Sequence, residues 1–138
     1  MTINVPLLRK ELEYVTAHRD QWYQPEWLTR SVCGTTGCLA GNAVLNAGYR
    51  PDWNYESSIH QTDTAVVVDV ESGERRDVLD VATRLFGLDD DDADWLFHPQ
   101  SSLLQLWVTA SHLTEGAIEV PPELLVEFSE EARACGLA

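Results

Sequence analysis

The segment from residue 37 to residue 47 is apolar or small at every position except two asparagines. A surface helix keeps one polar face, whereas a helix that is apolar on all sides is usually buried. A hydroxyl of Thr35 or Thr36 can cap its start, and Gly48 can take the left-handed conformation that ends a helix. We therefore predict a short buried helix at the centre of the fold.

Apolar positions three or four residues apart predict five more helices. They cover residues 6–19, 77–86 or 80–86, 89–97, 101–113 and 122–135. The four consecutive aspartates at 89–92 suit a helix start, because carboxylates are favoured at the positive end of the helix dipole. The apolar residues between positions 20 and 32 show no regular spacing, and we expect an irregular segment there.

One stretch of the chain has strong strand character. Residues 64–70 are rich in β-branched side chains, and residues 75–78 can form a return strand after a turn at Ser72 and Gly73. Two strands alone are marginally stable, so the hairpin must lie against helices. The expected fold class is mainly α, and it is α+β only because of this one short β-hairpin. We expect about six helices around the buried central helix, all in a single helical domain that covers residues 1–138.

Composition narrows the classes of protein to which the chain can belong. It has 138 residues, of which 44% are hydrophobic, and a net charge of −14. No apolar run is long enough to cross a membrane, and the first residues carry charge where a signal peptide is apolar. We expect a cytoplasmic protein. The acidic balance argues against direct binding to nucleic acid or to anionic membranes. It permits binding to a basic partner, and its simpler consequence is solubility.

Aromatic residues cluster on both sides of the predicted central helix. Trp22, Tyr23 and Trp27 precede it, and Trp53 and Tyr55 lie in the long loop that follows. Aromatic side chains next to a buried helix most often form a lid on the core. The alternative is an exposed platform for a partner, and these five residues are the candidates for such a contact.

Two cysteines flank the start of the central helix, and their chemistry leaves alternatives open. Cys33 and Cys38 are separated by four residues, whereas zinc sites usually combine two closely spaced ligand pairs. His60 and His98 could complete a metal site if the fold brought them near. A cysteine at a helix start can also be a reactive thiol. The simpler interpretation is that Cys38 packs as a small apolar side chain.

The motif CGTTGCLAG, from Cys33 to Gly41, resembles a C-G-T-x-x-C-x-A-G segment. That segment marks a group of small proteins of actinobacteria and their phages, mycobacteriophages especially. Further matching pieces are residues 86–88, read Phe-Gly-Leu, and the pair Leu96 and Phe97. The resemblance covers roughly residues 20–100 and implies a phage accessory protein. It brings no activity, so no catalytic residue follows from it.

The chain contains no complete catalytic set, so we expect a non-enzymatic protein without a cofactor. The leading hypothesis is a small acidic interaction protein, phage-encoded if the resemblance holds, that binds a host protein or a second copy of itself. One alternative is a metal-binding or thiol-redox protein built on Cys33 and Cys38. Another is a mimic of nucleic acid, in which carboxylates imitate phosphates.

Overall fold

The structure is a computed structural model that describes residues 2–31, 34–53 and 63–137. Within these ranges the chain forms seven α-helices, one 3₁₀-helix at Arg19–Gln21, and six short strands in two sheets. The α-helices are α1 Val5–Ala17, α2 Leu39–Asn46, α3 Val78–Phe86, α4 Asp90–Leu96, α5 Leu103–Leu113, α6 Pro122–Glu127 and α7 Ser129–Ala134. The strands are β1 Leu28–Ser31, β2 Gly34–Gly37, β3 Arg50–Pro51, β4 Asp63–Thr64, β5 Val66–Val68 and β6 Arg75–Asp77.

Both sheets are antiparallel and have three strands. The first has the order β2-β1-β4, with Leu28 opposite Gly37 at one end of the β1–β2 pair. The second has the order β3-β5-β6, with Val67 opposite Arg76. The expected hairpin is therefore present as β5 and β6, but it belongs to a larger sheet.

The prediction of a mainly helical fold with one hairpin is wrong, because the structure is α+β with two small sheets. The missed pair, β1 and β2, lies in the segment expected to be irregular and at the expected start of the central helix. Thr36 pairs with Thr29, and Thr35 pairs with Arg30. β-branched threonine suits a strand. Whether the segment forms a strand or a helix depends on the strand with which it pairs, and the spacing of apolar residues within the segment does not reveal that partner.

The burial of the central helix is confirmed, whereas its predicted start is wrong. Every residue of α2 from Leu39 to Val44 is buried. The helix begins at Leu39, and its N-cap is Cys38 rather than a threonine. Helix α2 contacts both α1 and α3. Its small side chains allow this enclosure from several sides.

The final helix is divided in two. Residues 122–135 were expected to form one helix, but Phe128 leaves helical geometry with φ −109° and ψ 43° and separates α6 from α7. Each short helix buries one residue, Leu124 in α6 and Ala132 in α7. The two short helices therefore bury little of their own surface in the core.

Candidate functional site

Trp22, Tyr23 and Trp27, the aromatic residues before α2, form the lid on the core that the sequence predicts, and one of the three is exposed. Trp22 and Trp27 are half-buried and pack against the core, whereas 49% of Tyr23 is exposed. The Trp27 ring meets Phe97 edge-on, with 6.3 Å between ring centroids. Of these three side chains, Tyr23 offers the largest exposed fraction to a partner.

A buried amide holds the lid in place. Gln24 is only 4% exposed, and its Oε1 accepts hydrogen bonds from Trp22 Nε1 at 3.0 Å and from the Leu39 backbone N–H at 3.1 Å. Its Nε2 donates to the His98 backbone oxygen at 3.1 Å. One side chain thus joins the lid, the first turn of α2 and the turn after α4. Sequence reasoning missed Gln24, because its burial follows no helical or strand periodicity.

The glycines beside α2 allow close backbone contact with the lid. A Cβ atom built on Gly37 would lie 2.5 Å from the Trp27 carbonyl oxygen, and one on Gly41 would lie 1.9 Å from the same atom. Real Cβ atoms do not approach an oxygen so closely. Gly37 and Gly41 of the CGTTGCLAG motif thus serve packing and leave no room there for a phosphate, whereas Gly34 has φ +115° and no neighbour within 4 Å.

Asn42 secures the start of α2 from inside the core. Its Nδ2 lies 2.8 Å from the Gly37 oxygen, 3.0 Å from the Cys38 oxygen and 3.1 Å from the Gln21 oxygen. Asn42 is 5% exposed. Since buried amide hydrogens need acceptors, these three carbonyls account for its position in an otherwise apolar helix.

Cys38 is a buried capping residue. It is 2% exposed, and its Sγ accepts a hydrogen bond from the Gly41 backbone N–H at 3.4 Å. Burial raises the pKa of the Cys38 thiol to about 11. The thiol is therefore protonated at neutral pH, and protonated thiols are poor nucleophiles and poor metal ligands.

The remaining metal candidates are not brought together in the described part of the chain. His98 lies in an exposed turn, where its Nδ1 accepts a hydrogen bond from the Gln100 backbone N–H at 3.1 Å. Cys33 and His60 lie outside the described residues. Among residues 2–31, 34–53 and 63–137, no group of three or more His, Cys, Asp or Glu side chains could hold a metal ion.

The aromatic candidates after α2 are only partly described. Trp53 is half-buried, and the guanidinium of Arg30 lies 5.0 Å from the centroid of its ring. Such a cation–π contact links β1 to the residues that follow β3. Tyr55 lies outside the described residues.

The most exposed tryptophan in the described part of the chain was not among the residues predicted to contact a partner. Trp95, on α4, is 47% exposed, and its ring meets the His112 ring edge-on with 5.1 Å between centroids. Asp90, Asp91 and Asp94 on the same short helix are exposed. Helical periodicity could have found it, because Ala93 and Leu96 face the core and Trp95 is two residues after Ala93, on the opposite side of the helix.

Negative charge is concentrated in the same part of the chain. Residues 85–138 carry eleven carboxylates and one basic residue, Arg133, whereas the remaining eight basic residues lie before residue 85. Helix α4 therefore presents its tryptophan from the most acidic region. A positively charged surface would be drawn towards that region.

No protein-family model, no curated protein and no solved structure matches the chain. The similarity to actinobacterial and mycobacteriophage proteins therefore stays a prediction. In the described ranges, no helix combines the length and the apolar character that a membrane crossing requires. Function must be inferred from the contacts and charges of the residues themselves.

Proposed function

We propose that this chain is a small acidic protein of the cytoplasm that acts by binding another protein, and that α4 carries the contact. The observation that carries the proposal is the half-exposed Trp95 beside the exposed carboxylates of Asp91 and Asp94. Tryptophan is enriched among the few residues that dominate interface energies, because it buries a large area with little loss of side-chain freedom.

The chemistry of α4 defines the partner. A matching surface has an apolar pocket for the Trp95 ring, bordered by lysine or arginine side chains that pair with Asp91 and Asp94. Complementary charge speeds the encounter, and burial of the aromatic ring slows dissociation. A host protein with a basic face fits this description if the chain is a phage accessory protein, and a second copy of the chain is the other candidate.

The use of the buried polar side chains supports binding rather than catalysis. Gln24 and Asn42 make hydrogen bonds to backbone groups that hold the lid and α2. Cys38 caps the same helix. These groups are occupied in maintaining the fold, whereas a catalytic group needs an open side that reaches a substrate.

Affinity capture from an actinobacterial lysate, with quantitative mass spectrometry, tests the proposal. Trp95→Ser should reduce recovery of the bound partner about tenfold, since loss of an interface anchor costs roughly one factor of ten per 1.4 kcal/mol. Val126→Ser is the matched control, because Val126 is 76% exposed and lies on α6. Sedimentation velocity on the purified chain shows whether the partner is a second copy.

A second pair of variants separates the role of α4 from that of the total charge. Asp91→Asn with Asp94→Asn removes two charges from α4, and Glu123→Gln with Glu130→Gln removes two exposed charges from α6 and α7. Only the first pair should slow association. Equal recovery with wild-type chain and Trp95→Ser, or a monomer that recovers nothing, would contradict the proposal.

A further inference from the structure

A cleft lies between the second sheet and α3. It has a volume of about 480 Å³. Val66 and Val81 are buried in its floor, and Tyr49 and Leu85 are half-buried beside them. Small-molecule sites have volumes of about 300 to 1,000 Å³, and this cleft falls in that range although five of its nine lining residues are charged.

Three arginines line this cleft. Arg75 and Arg76 come from β6, and Arg84 comes from the last turn of α3. They are three of only nine basic residues in a chain with a net charge of −14. A third of the chain's basic side chains therefore line this one cleft.

The three guanidinium groups differ in their partners. Arg75 Nε donates to Asp52 Oδ2 at 2.7 Å, and Arg76 Nη2 donates to Glu74 Oε2 at 2.7 Å. The Arg84 guanidinium makes no hydrogen bond or ion pair with any residue in the described ranges. Its fork of five N–H donors is thus available to an oxyanion, and arginine binds carboxylates and phosphates through two parallel hydrogen bonds.

Two carboxylates also line the cleft and restrict what can enter. Asp77 and Asp80 line the same cleft as Arg84, and neither side chain makes a hydrogen bond or ion pair with a described residue. They repel a bare multivalent anion, whereas they accept hydrogen bonds from hydroxyl or amino groups on a larger molecule. The lining therefore favours an organic molecule over an inorganic ion.

We propose that this cleft binds a small organic anion, with its carboxylate or phosphate group on Arg84 and its apolar body on Val66, Val81 and Tyr49. This site goes beyond the protein contact proposed for α4. Its ligand is defined by an oxyanion at one end and an apolar body of about the size of a phenyl ring at the other.

Three probes of similar size test the proposal by chemical-shift titration of the ¹⁵N-labelled full chain. They are 3-phenylpropionate, phenyl phosphate and the neutral 3-phenylpropan-1-ol. We expect saturable shifts at Val66, Val81 and Arg84 with at least one anion, and binding about tenfold weaker with the alcohol, which lacks the charge-assisted hydrogen bonds. The preferred anion identifies the oxyanion as carboxylate or phosphate.

Arg84→Gln and its control locate the charge that binds. Arg84→Gln should weaken anion binding about tenfold and leave binding of the alcohol unchanged. Arg133→Gln removes one charge from an exposed position on α7 and should leave anion binding unchanged. Partner capture through Trp95 should be the same in both variants, so failure of this proposal is distinguishable from failure of the α4 contact.

Three outcomes would overturn the proposal. One is the absence of saturable shifts with both anions. A second is equal affinity for the alcohol and the anions, which would mean an apolar surface only. The third is an equal loss of anion binding in Arg84→Gln and Arg133→Gln, which would mean an effect of net charge.

Discussion

The carbonyl oxygen of Trp27 occupies the space that a side chain on Gly41 would need. A Cβ atom at residue 41 would lie 1.9 Å from that oxygen. The lid before β1 and the buried helix α2 therefore touch through their backbones at this point. This contact gives a physical reason for the last glycine of the CGTTGCLAG motif.

Gly41→Ala should lower the free energy of unfolding by about 3 kcal/mol, because the added methyl forces the lid away from α2. Urea unfolding followed by tryptophan fluorescence measures the loss. Gly73→Asn is the control, since Gly73 has φ +74° and no neighbour within 4 Å, and asparagine tolerates that conformation. A Gly41→Ala variant as stable as the control would disprove this packing argument.

Gln24→Leu should destabilise the chain by about 3 kcal/mol. The substitution leaves the Leu39 N–H, the Trp22 Nε1–H and the His98 carbonyl without their described partner. Thermal unfolding monitored by circular dichroism measures the effect. The exposed Gln100 gives the control, because Gln100→Leu should change stability by no more than about 0.5 kcal/mol. Similar melting temperatures for the two variants would show that Gln24 does not hold the lid.

The buried thiol of Cys38 should make stability fall in alkaline solution. Its pKa rises from 9.0 to about 11 on folding, so between these values the unfolded chain has lost a proton that the folded chain retains. Stability is then lost as pH rises, by about 1.4 kcal/mol per pH unit.

Cys38→Ser should remove this loss, because serine caps the helix and does not titrate. Urea titrations from pH 7 to pH 11 measure the difference between variant and wild type. The exposed thiol of Cys135 provides the control, and Cys135→Ser should retain the wild-type slope. If the difference between Cys38→Ser and wild type does not change with pH, the thiol ionises as easily in the folded chain as in the unfolded one.

Glu11 should destabilise the fold at neutral pH in its ionised form. It is 2% exposed on α1, and its Oε2 accepts a hydrogen bond from Asn46 Nδ2 at 2.8 Å. Burial raises the pKa of its carboxyl above 4.5, although the Asn46 hydrogen bond acts in the opposite direction. The stability that the neutral form contributes is present below pH 4.5 and is lost as pH rises through the folded-state pKa.

Glu11→Gln should therefore raise the free energy of unfolding at pH 7, and the gain should shrink as pH falls towards 4.5. The amide oxygen of glutamine can still accept from Asn46. Glu13→Gln on the exposed side of α1 is the control and should show no such pH-dependent gain. Denaturant unfolding at pH 4 and pH 7 measures both, and a loss of stability at pH 7 in Glu11→Gln would contradict the prediction.

Helices α3, α4 and α5 could be predicted because their signals are local, whereas the division of the last predicted helix into α6 and α7 was missed. Gly87 ends α3 in the left-handed conformation, Asp89 caps α4, and Ser102 with Gln105 forms a capping box at α5. Each signal lies within a few residues of the end that it marks. The strands β1 and β2 could not be predicted in this way, since their hydrogen bonds depend on each other rather than on their own spacing.

The candidate site was predicted less well than the helices. Trp22 and Trp27 were correctly expected to cover the core, whereas Trp95 was expected only as one residue of the helix over residues 89–97. In a helix as short as α4, one residue of displacement decides between burial and exposure. Arg84 was missed for another reason, because the cleft that it lines exists only after the hairpin has packed against α3.

The division of the last helix at Phe128 makes the end of the chain a separable unit. Arg19 binds both carboxylate oxygens of Glu127 and lies 5.8 Å from the centroid of the Phe128 ring, and Ser102 Oγ donates to Glu131 at 2.6 Å. The Arg19 hydrogen bond lowers the pKa of Glu127, so the ion pair between Arg19 and Glu127 is lost as pH falls through that lowered pKa. Below pH 4.5, α6 and α7 should therefore open as a pair and exchange their amide hydrogens while the helices around α2 remain closed.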